Sequence, residues 1–218
     1  MDTVDLAEAV SLLLEDARVS SKTGEIHTGS RNFFVHIRLP DHIRHDLEAV
    51  QRKIIPDTAM PTPVDHITLV HVGKPRDDHD AQKVHAALNS LREIGQRTEP
   101  ISARIQGIAY FDGASNDGKP STALVALIDA PGLTHLHVDM SRALKEHGIN
   151  PSDNHGYVAH ATLGYLGDKG RVDSLPAISG KFTIEKVHVA ARDHHEIPLS
   201  YVKSLGAKAA EFAWSPVR

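Results

Sequence analysis

Two copies of His-x-Thr-Leu, His66-Ile67-Thr68-Leu69 and His160-Ala161-Thr162-Leu163, constrain the fold of this chain more than any other feature. Each lies in a run that reads as a β-strand, VDHITLVHVG in the first case and YVAHATLGYLG in the second. Side chains alternate across a strand, so each histidine shares one face with its threonine, while Ile67 with Leu69 and Ala161 with Leu163 share the other. One face packs and the other stays free for chemistry. The echo predicts two similar halves, each contributing one such strand.

The surrounding pattern places those strands in an α+β chain. FFVHIRLP is a β-rich run stopped by Pro40, and DHIRHDLEAVQRKI after it reads as a helix opened by an acidic cap. The first motif strand is followed by DHDAQKVHAALNSLREIG, with apolar positions at helical spacing and a stop at Gly95. ISARIQGIAYF and STALVALIDA form a pair of strands around the turn-rich DGASNDGKP, and LTHLHVDMSRALKEHG reads as a third helix closed by Gly148. The second motif strand and KFTIEKVHVAA complete the series. Adjacent strands argue for mixed or antiparallel sheets rather than a doubly wound parallel one.

Residues 1–30 read as a short amphipathic helix over 4–19, an appendage, a packing element or a partner-binding segment, followed by a polar linker, residues 31–192 as the main domain, and 193–218 as a C-terminal extension. No apolar run of about eighteen residues is present and no basic patch leads into an apolar stretch, which predicts a cytoplasmic protein without a membrane span. The absence of cysteine removes disulfides, thiolate nucleophiles and cysteine zinc motifs. A net charge of −4 argues against tight binding to long nucleic acid, which needs many cation–phosphate contacts, and leaves a nucleotide or short oligonucleotide as the expected partner. Sixteen histidines are an excess, most of them expected at solvated positions.

If the motif strands meet in one concave surface, two imidazoles and two hydroxyls converge. Imidazole exchanges protons near neutral pH, so one ring can act as general base and the other, protonated, as general acid. The Thr68 and Thr162 hydroxyls can donate hydrogen bonds to non-bridging phosphate oxygens. That set needs neither metal nor cofactor. The paired motifs, their flanking strands and the order of elements from about Arg31 to Arg192 resemble the 2H phosphoesterase superfamily, also described as LigT-like or 2′-5′ RNA ligase-like. The resemblance implies a bilobal, pseudo-symmetric fold with His66, Thr68, His160 and Thr162 lining a central groove and helices outside. It also implies hydrolysis of a 2′,3′-cyclic phosphate, a 2′-5′ linkage or a cyclic nucleotide, some members being phage enzymes that destroy nucleotide messengers.

Tyr157 and Phe34 are candidates for stacking a base, Tyr157 being taken into the site. A metal-dependent hydrolase is the main competing reading, on His135-Leu136-His137 and Asp193-His194-His195-Glu196. Their spacing is unpersuasive: rings at i and i+2 of a helix diverge, and so do neighbouring residues of a strand. A binding module that kept the groove without turnover is the other reading, with intact motifs against it. Arg31, Arg38, Arg44 and Lys119 read as solvated and stay outside the expected site.

Overall fold

The computed structural model describes residues 33–56, 59–73, 80–116, 119–152, 156–190 and 194–201. The helix expected over 4–19, its linker and the tail beyond 201 lie outside the described residues. Among the described residues, nine strands and three helices follow in the order β1 (Phe33–Arg38), α1 (Asp41–Ile54), β2 (Met60–Pro61), β3 (His66–Gly73), α2 (Asp80–Gln96), β4 (Ile101–Asn116), β5 (Lys119–Asp129), α3 (Pro131–Glu146), β6 (His160–Tyr165), β7 (Lys181–Ile184), β8 (Lys186–Ala190) and β9 (His194–Pro198).

The strands form two sheets, one ordered β3-β1-β8-β9 and the other β2-β6-β5-β4-β7, and every pairing is antiparallel. Each sheet holds one motif strand. Alternation sets the core: Ile67 and Leu69 on β3, Ala161 and Leu163 on β6, Val35 and Ile37 on β1, and Val187 and Val189 on β8 are buried. The helices close that side with Ile43 and Leu47 of α1, Leu88 and Leu91 of α2, and Leu133, Leu136, Met140 and Leu144 of α3. One hydrophobic cluster runs through both sheets, so burial on the order of 1.5–3 kcal/mol per large side chain ties the two motif strands into one body.

Four local differences from the expected pattern have physical reasons. The acidic cap of α1 is not there: the capping position is Pro40, and Asp41 sits in the first turn, where it accepts a hydrogen bond from Arg44 at 3.0 Å. The β4–β5 hairpin runs much further than the turn residues implied, because register shifts between Ile105 and Gly107 and between Phe111 and Ala114 let pairing continue to Asn116. KFTIEKVHVAA is two strands in different sheets, β7 against β4 and β8 against β1, with the crossing at Glu185. The first sheet also extends past position 192, where the domain was expected to end. His194–Pro198 pairs with β8, and Ile197 and Leu199 are in the core.

That edge explains Gly95. A side-chain carbon there would lie 2.5 Å from Ile197 Cγ2 and 2.7 Å from the Pro198 carbonyl oxygen, so α2 carries a glycine where β9 crosses it. Helix α2 then runs on to Gln96 rather than stopping at Gly95. Gly164 plays the same part in the other sheet, letting β2 lie on β6 where a Cβ would meet the Met60 carbonyl oxygen at 2.8 Å.

Candidate active site

The two motif strands meet through the segment that leads into β3. Thr62 donates from its backbone N–H to the Leu163 carbonyl at 3.3 Å and from Oγ1 to the Thr162 carbonyl at 3.0 Å. Gln51 of α1 clamps this junction, its Nε2 donating to the carbonyls of Thr62 and Leu163, both at 2.6 Å. His66, Thr68, His160 and Thr162 all lie on the partly exposed faces of their strands, while residues 67, 69, 161 and 163 are buried. His66 and His160 are near enough that the charge of His66 lowers the His160 pKa.

Each catalytic candidate has one ring nitrogen already engaged. His66 Nδ1 is 2.7 Å from Asp65 Oδ1, and His160 Nδ1 is 2.7 Å from the Val158 carbonyl oxygen. A carbonyl only accepts, so His160 donates through Nδ1–H and, when neutral, has its lone pair on Nε2. Burial is the largest influence on His160 and lowers its pKa; the Val158 hydrogen bond opposes this and the His66 charge reinforces it, leaving a net shift below the usual histidine value. At neutral pH that ring is a base.

His66 has a different support. Asp65 is placed to compensate a positive charge on the His66 ring and to fix which nitrogen it turns away. Burial pushes the Asp65 pKa up, but the hydrogen bond and charge of His66, aided by Arg38, bring it below the usual carboxylate value, so Asp65 is anionic. Neighbours in sequence on a strand face opposite ways, which is why Asp65 escaped the sequence reading. It succeeds because it precedes β3, at a point where its own carbonyl accepts from Leu39 N–H at 2.9 Å. Asp65→Asn keeps an acceptor and removes the charge. We expect turnover to fall by roughly 10–100-fold, the range seen where a carboxylate orients a functional histidine, with the circular dichroism spectrum unchanged.

Two other residues join the groove. Arg38, read from sequence as solvated, pairs in register with His66, and its charge lowers the pKa values of His36, His188 and His194. It is an exposed cation beside the first motif histidine, His66. Phe111 packs against His160 edge-on at 4.9 Å between ring centroids. The register shift after Phe111 hides this contact from any reading of simple alternation. Phe34, named from sequence, lies 6.1 Å from the His66 ring.

Tyr157 packs against α3. Its ring stacks on His137 at 4.5 Å and 9°, its hydroxyl is buried with no hydrogen-bond partner among the described residues, and burial raises its pKa. One face is already covered. His137 itself turns inward to the Leu69 carbonyl at 2.7 Å, while His135 is exposed, so the two diverge as their helical spacing requires.

The walls of the groove differ. On the second sheet, Val125 and Leu127 pair with Thr162 and His160 and belong to a small apolar cluster with Ala123, Tyr165 and Phe111. On the first, His36 pairs with Thr68 and with His188, and the rings of His36, His66, His188 and His194 lie 5.1–6.0 Å apart in successive contacts. His36 and His188 are 1% and 2% exposed, against the expectation of solvated histidines. Burial, followed by neighbouring positive charge, takes the His36 pKa well down, and burial pushes that of His188 down to about 4.

A family profile described as the 2′-5′ RNA ligase superfamily matches residues 39–196. The chain belongs to that superfamily, the 2H phosphoesterases, and its α+β architecture is theirs. Among solved structures, TT0787 of Thermus thermophilus is similar at TM-score 0.57 and 21% identity, over 78% of this chain and 95% of that one. Escherichia coli LigT in apo form is similar at TM-score 0.54 and 18% identity, over 78% and 94%. LigT complexed with 3′-AMP gives TM-score 0.52 and 19% identity with the same shares covered. No curated protein sequence matches the chain. Among the described residues, no helix is long and apolar enough to cross a membrane.

Proposed function

We propose that this chain is a phosphodiesterase that opens a nucleoside 2′,3′-cyclic phosphate, a 2′-5′ linkage or a cyclic nucleotide by proton transfer between two histidines, without a metal in the reaction. The observation that carries the proposal is the unequal support of the two rings. His160 is partly buried and held neutral by its surroundings, which suits a general base; His66 has an anionic carboxylate at its back, which suits a ring that carries the proton to be given away.

In the hydrolytic step His160 Nε2 takes a proton from water as its oxygen attacks phosphorus. His66 Nε2–H gives a proton to the departing ribose oxygen, and the P–O bond to that oxygen breaks. The proton taken and the proton given balance, so the pair ends with its charges exchanged. Thr68 and Thr162 donate to the non-bridging oxygens, and Arg38 adds positive charge beside His66 where the phosphate carries negative charge. The apolar wall with Phe111 and Leu127 offers a nucleobase a face to stack on. Complexes of LigT with 3′-AMP, NADP+ and ATP support a nucleotide ligand for a groove of this kind.

Turnover of 2′,3′-cyclic nucleotides, 2′-5′-linked oligonucleotides and cyclic oligonucleotide messengers in excess EDTA tests the proposal and names the substrate. We expect one class to be opened at an undiminished rate after chelation. Activity that disappears with EDTA and returns with a divalent ion would move the chemistry to a metal.

A further inference from the structure

The DHHE run offers metal-binding residue types, but neighbouring residues of a strand are expected to diverge. They do diverge: His195 pairs with Val189 of the buried face, while His194 and Glu196 lie on the other side of β9. The convergence comes from the next strand. His188 of β8 is the cross-strand partner of Glu196, and His194 precedes Glu196 by the two residues that return a side chain to the same face.

We propose that His188, His194 and Glu196 form a binding site for one divalent transition-metal ion of the zinc type, at the β8–β9 edge of the first sheet. One donor atom from each residue lies within 4.8 Å of the other two. His188 Nδ1 is 3.0 Å from His194 Nε2 and 3.7 Å from Glu196 Oε1. Donors about 2.0–2.2 Å from a tetrahedral ion are about 3.3–3.6 Å from one another, so the two distances from His188 need change by only a few tenths of an ångström, and the His194–Glu196 separation, within 4.8 Å, closes by at most about 1.5 Å.

The cluster is also chemically prepared. Two facing ring nitrogens hold one proton between them, and a cation between the rings replaces that proton, which moves to the far nitrogen of its own ring. Lys186 Nζ binds Glu196 Oε2 at 2.7 Å and leaves Oε1 on the side of His188. His188 is buried, whereas His194 and Glu196 are exposed, which gives an entry path and a fourth position open to water.

A separate observation points the same way. His36 is 1% exposed, lies 5.3 Å from the His188 ring and 6.0 Å from that of His194, and has both ring nitrogens without a hydrogen-bond partner among the described residues. Buried polar atoms need partners, and water on the open position of an ion supplies one. Arg38 and Lys186 oppose any cation here. Their charge disfavours magnesium and calcium, which prefer oxygen ligands, and leaves ions that bond strongly to imidazole.

The test is titration of the metal-stripped full chain with Zn2+ by calorimetry, and with Co2+ by its visible d–d absorption. His194→Ala and Glu196→Gln are compared with wild type because both residues are exposed. The expected result is one ion per chain, tetrahedral Co2+ bands, no response to Mg2+, and at least about tenfold weaker binding in each variant, the least that disturbing a metal site costs. Absence of a stoichiometric ion in wild type, or equal binding by all three proteins, overturns the site. The ion has no part in the proposed reaction, so this result and chelator-resistant turnover stand or fall separately.

Discussion

Alanine at His66 or at His160 is expected to lower turnover by about 10²–10⁴-fold, the contribution of one positioned acid or base, and to leave the protein folded. The fold survives because the rings lie on the groove side of β3 and β6, while Ile67, Leu69, Ala161 and Leu163 carry the packing beneath them. The double variant is expected to fall short of the product of the two losses, because a base without its acid partner already works on a stalled reaction. Steady-state rates at saturating substrate, with circular dichroism as the check on folding, measure this. Full activity in either single variant contradicts the assignment.

Valine in place of Thr68 or Thr162 is expected to cost about a hundredfold or more in kcat with little change in KM. A hydroxyl that donates to a non-bridging oxygen contributes most where negative charge develops in the transition state. Valine suits the test because it keeps the branched shape and β-propensity of threonine while removing the donor. A threonine that only packs would give the opposite pattern, a wild-type rate in a protein of altered stability. Comparison of kcat, KM and thermal midpoint separates the two.

The part of this molecule legible in sequence was the part that repeats. Period-two alternation located both motif strands and put His66 with Thr68 and His160 with Thr162 on their open faces, because a buried partner row leaves a strand only one register. The helices were legible from their apolar spacing. Contacts between strands distant in sequence were hidden, and the groove is made of them. Arg38 looked like a solvated charge until β1 was paired with β3, and Phe111 reaches His160 only beside a register shift that no local rule anticipates. Asp65 was hidden by the assumption that the strand begins before it.

The crossing at Glu185 shows the same limit from the side of topology. KFTI and KVHVA read as one strand because both halves alternate, yet the single residue between them carries the chain from one sheet to the other. That crossing brings His188 beside His36, and with it the histidine-rich wall. The continuation of the sheet through β9 was equally hidden, since HHEIP offers only Ile197 to the core and is too short to show a period.

The most direct test of the two-histidine account is the pH dependence of kcat/KM for the best substrate in excess EDTA, with His66→Ala and His160→Ala measured beside wild type. A bell is expected. Its acidic limb falls below the ordinary histidine value near 6.5, because burial lowers the His160 pKa and the ring stays a base to lower pH; the alkaline limb marks loss of the proton that His66 donates. The residual rate of His160→Ala should lose the acidic limb, and that of His66→Ala the alkaline one. A bell that keeps both limbs in either variant would contradict the assignment of base to His160 and acid to His66.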